Sequence, residues 1–148
     1  YCEKQPQEFG HRSAGKLFLV SNSLNVYTEQ RQPGVDFASR PTTLTGSYKY
    51  EPDVNDPDEK GLVTVELRSG NKTIGSGRLE LGSQGAYTSF EVPITYTDLS
   101  LRANSLRIEF SSSNRTDETR IITTNYCNKQ ECVSRGAALT VDNLKFTY

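Results

Sequence analysis

Apolar and polar residues alternate with a period of two in one segment of this chain after another. Residues 63–68 place valine or leucine at every odd position, and residues 90–96 and 106–110 place apolar side chains at every even position. This is the period of a half-buried β-strand. Clusters of turn-forming residues separate the segments, and no helical period of useful length occurs. The pattern predicts an all-β protein, an antiparallel β-sandwich with a jelly roll as the leading topology.

Residues 37–50 join an Arg-Pro turn to the clearest of these strands. Leu44, Gly46, Tyr48 and Tyr50 share one parity, whereas polar residues fill the odd positions between them. Because side chains alternate between the two faces of a strand, both tyrosines are predicted to face the core. The polar parity is left to solvent and to a ligand.

Local patterns also predict how some strands connect. Residues 62–69 and 73–81 can pair as a hairpin. Pro93 falls at an outward position, which is typical of an edge strand or a bulge. In residues 138–148 the apolar parity switches from odd to even, so we predict a bulge at Asp142–Asn143. Two stretches are predicted to be exposed: the loop 51–61, and a surface excursion over 114–136 in which only 120–123 has the character of a strand.

Length and charge limit the architecture and the partners. A chain of 148 residues fits one core. We predict a single β-sandwich domain over residues 15–148, and a linker or edge segment over residues 1–14. Lys+Arg 17 against Asp+Glu 18, without a basic stripe, disfavours nucleic acid as a partner. No apolar run is long enough for membrane insertion. The chain starts at Tyr1 and contains no methionine, so we predict a mature product or a segment of a longer protein.

Three cysteines bear on redox state. Cys127 and Cys132 are separated by four residues, a spacing that can bring both sulfurs together at a tight turn, and we favour a disulfide between them over two free thiols. Cys2 could pair with a cysteine outside this chain. Zinc is disfavoured because His11, the one histidine, lies far away in sequence.

Catalytic groups are present without a catalytic arrangement. Glu66, Glu80, Glu91 and Glu109 lie at outward strand positions, and two of them could form a glycosidase pair. Solvated strand faces carry the same pattern, and we favour that interpretation. No G-x-S-x-G motif accompanies the histidine. The enzyme question therefore stays open with a preference for no catalysis, and a glycoside hydrolase is the enzyme class to consider.

Calcium is the one cofactor that the sequence leaves open. The acidic run 53–59 fails the helix-loop-helix pattern because Pro57 and Asp58 occupy its fifth and sixth positions. A structural calcium held by Asp142 is an alternative to backbone hydrogen bonding at the bulge, which we favour.

Sugar binding requires an aromatic plate to stack on a pyranose ring and polar groups to hold its hydroxyls. Three tyrosines in loop-like contexts could supply plates, and three basic residues could supply donors. These ligand-binding candidates are Tyr27, Tyr87, Tyr126, Arg40, Lys49 and Arg68. For Arg40 the alternative is a carboxylate partner that fixes the Arg-Pro turn.

The order of motifs over residues 15–148 resembles the putative carbohydrate metabolism domain family. The resemblance rests on GKLFLV, GVDFASRPTTLTGSYKYEP, IGSG, FEVPITY, LRIEFSSS and LTVDNLKFTY. It implies a jelly-roll sandwich like that of carbohydrate-binding modules, found as the C-terminal module of secreted or surface proteins of gut bacteria. The cysteine-bearing excursion replaces the glycine-rich turn of that family.

Together these observations predict an exported, extracytoplasmic module at a bacterial surface that recognises glycans without breaking a bond. The partners expected are a glycan and other domains of the same polypeptide. The first alternative is a structural or adhesive module that holds protein partners by a sheet edge or a long loop, and the second is a hydrolase acting on sugars.

Overall fold

The computed structural model describes residues 15–20, 40–115, 124–127 and 132–148, and the side chains of 19–20, 124–127 and 132–135 lie outside this description. The described residues form strands and turns, and among them no helix has the length and apolar character that crossing a bilayer requires. The strands are β1 (Lys16–Val20), β2 (Thr43–Glu51), β3 (Gly61–Ser69), β4 (Lys72–Leu81), β5 (Gln84–Pro93), β6 (Thr95–Tyr96), β7 (Ser105–Ser111), β8 (Thr124–Cys127), β9 (Cys132–Arg135) and β10 (Ala138–Thr147).

Two antiparallel sheets form the sandwich. Sheet A has the strand order β1-β7-β3-β4-β6, and sheet B has the order β10-β2-β5. The strands β8 and β9 form a separate hairpin. Strands that are distant in sequence pair in both sheets, β1 with β7 and β2 with β10. The all-β, jelly-roll-like sandwich predicted from the alternation is confirmed.

The core lies between the sheets and is built from the predicted parities. Along β2 the even positions are buried, and Tyr48 and Tyr50 are both in the core as predicted. Phe90 on sheet B spans the interior, because its ring meets the rings of Tyr48 and of Phe110 on sheet A edge to face. The ring centroids lie 6.1 Å and 6.4 Å from that of Phe90. A Cβ added at Gly46 would lie 2.8 Å from the Phe90 ring, so glycine makes room for this ring.

The predicted hairpin and bulge are both present. β3 and β4 pair along their length, and Gly70 in their turn has φ of 60°. The register of β10 against β2 shifts between Asp142 and Lys145, and Asn143 adopts φ of 55°. A left-handed asparagine is a common solution at such an irregularity. Leu139 and Val141 before it and Leu144 and Phe146 after it pack against the core, whereas Tyr148 at the end of this set is exposed.

The chain passes from sheet B to sheet A at Pro93, which ends edge strand β5. β6 follows at once and pairs with β4, Gly75 with Tyr96 and Ser76 with Thr95. The close approach depends on Gly77, where a Cβ would lie 2.5 Å from the Pro93 carbonyl oxygen.

Two predictions about the loops were wrong. The loop 52–60 is not wholly exposed, because Asp53 and Glu59 are buried at its ends. In the excursion over 114–136 the strands are TNYC and CVSR, which pair as a hairpin. Each segment has only four residues, too short for alternation to mark it, although Thr124, Tyr126 and Val133 are residue types that favour strands. Residues 120–123, the predicted strand, lie outside the described residues, as does the segment 1–14.

Candidate functional site

Tyr87 and Lys49 meet on the outer face of sheet B. Tyr87 lies on β5 with its side chain about half exposed, 51%. The Lys49 ammonium nitrogen lies 4.5 Å from the centroid of its ring. A cation over the face of an exposed tyrosine contributes about 0.5–1 kcal/mol. The contact therefore orients the ring, and a ligand can displace it at small cost.

A row of hydroxyl groups surrounds this pair. Ser47 is the strand partner of Ser89, and Lys49 is the partner of Thr140. We call the outward-facing set Ser47, Lys49, Tyr87, Ser89 and Thr140 the Tyr87 surface. It combines an accessible aromatic plate, a cationic donor and hydroxyls that both donate and accept hydrogen bonds.

A depression of about 650 Å³ lies on the outer face of sheet A, on the other side of the sandwich. Its floor is formed by β3 and β4, and Pro93 and Thr95 form one wall. The lining mixes apolar surface with polar side chains, which are Glu66, Arg78 and the hydroxyls of Thr64, Thr73, Ser76 and Thr95. Of the predicted donors, Arg68 lies beside it, where its Nε donates to Glu66 Oε1 at 2.6 Å.

Arg40 serves the fold. Its Nη2 donates to the carbonyl oxygens of Leu99 and Leu101 at 2.6 and 3.0 Å. These bonds join the residues before β2 to the connection that follows β6. Arg40 therefore stabilises a turn, as the alternative interpretation in the sequence analysis proposed, but its acceptors are carbonyl oxygens and not a carboxylate.

The remaining predicted residues are placed differently from the sequence interpretation or not described. Tyr87 belongs to a strand, not to a loop, because β5 pairs with β2 from Gln84 onward. Tyr27 and the side chain of Tyr126 lie outside the described residues. Cys127 and Cys132 are directly opposite each other in the β8–β9 register. Their side chains also lie outside the description, so the disulfide stays a prediction.

The outward glutamates of sheet A have basic neighbours. Glu66 pairs with Arg68, Arg78 with Glu80 at 3.4 Å and Arg107 with Glu109 at 3.3 Å. Such pairs, two residues apart on one strand, are typical of a solvated, charge-balanced strand face. Glu91 lies on the outer face of sheet B, opposite Thr45.

Within the parts of the chain that the structure describes, no three His, Cys, Asp or Glu side chains are grouped so that they could hold a metal ion. Asp142 accepts a hydrogen bond through Oδ1 from the backbone N–H of Asn143 at 2.7 Å, as the alternative to calcium required. Calcium binding at Asp142 stays the less favoured alternative.

A buried acidic cluster at one end of the sandwich was missed from the sequence. Arg115 Nη2 donates to both carboxylate oxygens of Asp56, at 2.9 and 3.1 Å, and Nε lies 3.4 Å from Oδ2. This ion pair joins the loop 52–60 to the segment that follows β7. Glu59 lies beneath it with 1% of its surface exposed, and neither carboxylate oxygen meets hydrogen-bond geometry with a described residue. The outward glutamates follow strand parity, whereas no local period marks Glu59.

Burial raises the pKa of the Glu59 carboxyl. The nearby Ser113 hydroxyl and Arg115 lower this pKa, and the carboxylates of Asp56 and Asp53 raise it. Burial likewise raises the pKa of the neighbouring Tyr50 hydroxyl, which donates to the Ser112 carbonyl at 2.9 Å. The cluster thus favours the protonated form of Glu59.

Glu59→Gln is expected to stabilise the protein at neutral pH. Because the pKa of Glu59 is raised in the folded state, the protonated carboxyl contributes to the free energy of unfolding. This contribution is fully present below the pKa of a glutamate in the unfolded chain, about 4.3, and it is lost as pH rises through the pKa in the folded state. Glutamine cannot ionise, so the free energy of unfolding should rise by about 1 kcal/mol at pH 7 and change little near pH 4. Urea denaturation at both pH values measures this difference. Glu91→Gln, on the exposed face of β5, is the control, and an equal gain in both variants would contradict the assignment.

No family model and no curated protein matches the sequence. Comparison of folds finds a structure from Bacteroides thetaiotaomicron described as a "putative glycoside hydrolase", with a TM-score of 0.59 and 17% identity. The match covers 91% of this chain and 47% of that one, so the chain spans about half the length of the structure that it matches. At this identity the likeness supports the fold alone.

Proposed function

We propose that the chain is a non-catalytic glycan-recognition module and that the Tyr87 surface binds the glycan. The observation that carries the proposal is the half-exposed Tyr87 ring beside Lys49 on the face of sheet B. A tyrosine ring can stack on the apolar face of a pyranose, and it loses little side-chain entropy because it has few rotatable bonds.

The neighbouring groups supply the polar half of recognition. Lys49 donates hydrogen bonds only, whereas Ser47, Ser89 and Thr140 can both donate and accept. Sugar hydroxyls also do both, so a flat strip of hydroxyls next to a plate fits an extended glycan lying across the strands. Because β2, β5 and β10 are held in register by the sheet, these groups are positioned before the ligand arrives.

Binding without catalysis is favoured by the state of the carboxylates. A glycosidase needs one carboxyl as acid and a second as base or nucleophile across the scissile bond. On sheet A, Glu66, Glu80 and Glu109 each have an arginine partner. On the Tyr87 side, the strand glutamates Glu51 and Glu91 are exposed. Glu91 is the strand partner of Thr45, so it lies roughly 20 Å from Glu51 along β2, too far apart for a glycosidase pair.

A glycoside hydrolase is the second candidate. Two observations favour it: the fold likeness to a protein described as a "putative glycoside hydrolase", and Glu66 in the lining of a depression on sheet A. Release of reducing sugar from the glycan that binds best, lost in Glu66→Gln, would replace the binding proposal with this one.

The resemblance to the putative carbohydrate metabolism domain family also supports a proposal about where the protein is located and which domains accompany it. The chain would be the C-terminal part of a longer protein exported to a bacterial surface, and other domains of that polypeptide would be its neighbours. The share of the matched structure that this chain covers, 47%, is compatible with such an arrangement.

A glycan array tests the proposed function. The full chain should bind at least one class of polysaccharide, and Tyr87→Ala should lose most of that signal. Wild-type protein that binds no glycan would remove the proposal, and capture of proteins in its place would favour the adhesive alternative. Repeating the array and a thermal melt with EDTA tests the structural calcium that the sequence leaves open at Asp142, since a lower melting temperature with the chelator would support it.

Oxidation of the cysteine pair is a separate expectation that goes with export. Cys127 and Cys132 are strand partners, and an exported protein meets an oxidising compartment. Intact-mass measurement should show that the pair gains two hydrogens on reduction, and removal of the bridge should cost about 2 kcal/mol for so short a loop. Alkylation of both cysteines without prior reduction, in protein purified from the periplasm, would contradict it.

A further inference from the structure

We propose that the depression on sheet A is a second sugar-binding site, which holds one sugar residue by two adjacent hydroxyl groups between Glu66 and Arg78. It lies on the opposite sheet from Tyr87 and shares no residue with the Tyr87 surface. Sugar binding at one site can therefore be tested independently of the other site.

Glu66 is held in place with half of its carboxylate open. Oε1 accepts from Arg68 Nε at 2.6 Å and from the Thr73 hydroxyl at 2.7 Å. No other described residue donates to the carboxylate, so Oε2 is free to accept from a ligand. A side chain fixed by two hydrogen bonds loses little conformational entropy when a ligand binds.

Arg78 offers the complementary donors. Its one contact within the described residues is a long one, from Nη2 to Glu80 Oε1 at 3.4 Å, so most of the guanidinium N–H groups are unused. Thr64 is the strand partner of Arg78, and Ser76 is the partner of Glu66. Glu66 and Arg78 are thus diagonal neighbours across β3 and β4, a spacing of roughly 7–8 Å between Cα atoms that long side chains can bridge together with a ligand.

The pairing of these two groups selects the class of ligand. A carboxylate accepts only and a guanidinium donates only, so a ligand that satisfies both needs donors and acceptors side by side. Adjacent hydroxyls of a sugar present this combination, and the lining hydroxyls of Thr64, Ser76 and Thr95 can hold the remaining ones. A simple anion or cation would satisfy one group and meet the other as a like charge. An apolar ligand would leave both charges unpaired.

The walls suit one sugar residue more than a chain. Pro93 and Thr95 bound the depression on the side where the chain crosses between the sheets. Gly77 allows this crossing to lie close to β4. The site is open to solvent on its other side, as a site for a terminal sugar residue requires.

Amide chemical shifts of the full chain, titrated with methyl glycosides of the gluco, galacto, manno and fuco series, test this site. At least one glycoside should shift the amides of Thr64, Ser76 and Thr95. Affinity should fall about tenfold in Glu66→Gln and in Arg78→Ala, because each removes a hydrogen bond to a charged group. Glu91→Gln and Lys145→Ala change exposed charged side chains on the opposite sheet, outside both sites, and these variants should bind as the wild type does.

Tyr87→Ala separates this inference from the proposed function. The shifts in the depression should persist in this variant, and they would do so even if the Tyr87 surface bound nothing. Three results would overturn the inference. The first is that no glycoside shifts these amides, and the second is that the shifts persist in both Glu66→Gln and Arg78→Ala. The third is that only amino acids or simple ions produce them.

Discussion

Replacing Phe90 with alanine is expected to lower the free energy of unfolding by about 3–5 kcal/mol. The ring is 4% exposed and contacts aromatic rings of both sheets, Tyr48 and Phe110. Truncation would remove these contacts and leave a cavity in the middle of the sandwich. The rigid strands on either side could close this cavity only in part. Urea denaturation followed by fluorescence measures the loss.

The control lies on the same strand. Tyr87→Ala removes a ring of similar size from the outer face of β5, where the side chain is 51% exposed, and it should change stability by less than about 1 kcal/mol. If Phe90→Ala does not fold, Phe90→Leu, which keeps most of the volume, should still show a smaller loss. A stability within about 1 kcal/mol of wild type for Phe90→Ala would contradict the placement of this ring at the centre of the core.

Gly77→Ala is expected to lower the free energy of unfolding by about 3 kcal/mol, at the upper end for one added methyl group. The new Cβ would lie 2.5 Å from the Pro93 carbonyl oxygen and 2.8 Å from the Val92 side chain. The clashing atom is the backbone carbonyl oxygen of Pro93, which cannot rotate away as a side chain could. The next residue, Ile94, also holds this backbone in place, because its N–H donates to the Thr42 carbonyl at 2.9 Å. Relief therefore requires the crossing between the sheets to move away from β4.

Gly82→Ala is the matched control for this clash. No atom lies within 4 Å of a Cβ added there, so alanine should be neutral or stabilise the protein by up to about 1 kcal/mol through the unfolded chain. Denaturation of the two variants side by side gives the comparison. Equal stability of Gly77→Ala and Gly82→Ala would show that β6 does not pack against β4 as described.

The fold could be predicted from the sequence because alternation is a local signal. The parity of β2 and β3 identifies which side chains face inward, and the switch of parity in β10 locates its bulge. The loop ends that bury Asp53 and Glu59 carry no such period, because their burial comes from contacts with residues beyond β7. Composition alone therefore indicated an exposed loop.

The candidate site could be predicted only as a set of residue types. Lys49 and Tyr87 were both identified as ligand-binding candidates, but only the pairing of β2 with β5 brings them into contact. Tyr87 was placed in a loop-like context, with Gly82 and Gly85 before it in sequence, and the long-range strand pairing outweighs that local context. Arg40 and Arg68 were reasonable donors by type, and the folded chain uses both to hold neighbouring groups.

The most direct test of glycan recognition at the Tyr87 surface is calorimetric titration of the polysaccharide that the array identifies. The comparison sets Tyr87→Ala against Tyr148→Ala, a tyrosine that is 70% exposed at the end of β10 and outside the surface. We expect the affinity to fall about tenfold or more in Tyr87→Ala, because the stacking ring is lost, and to stay at the wild-type value in Tyr148→Ala. Undiminished affinity in Tyr87→Ala would contradict this expectation.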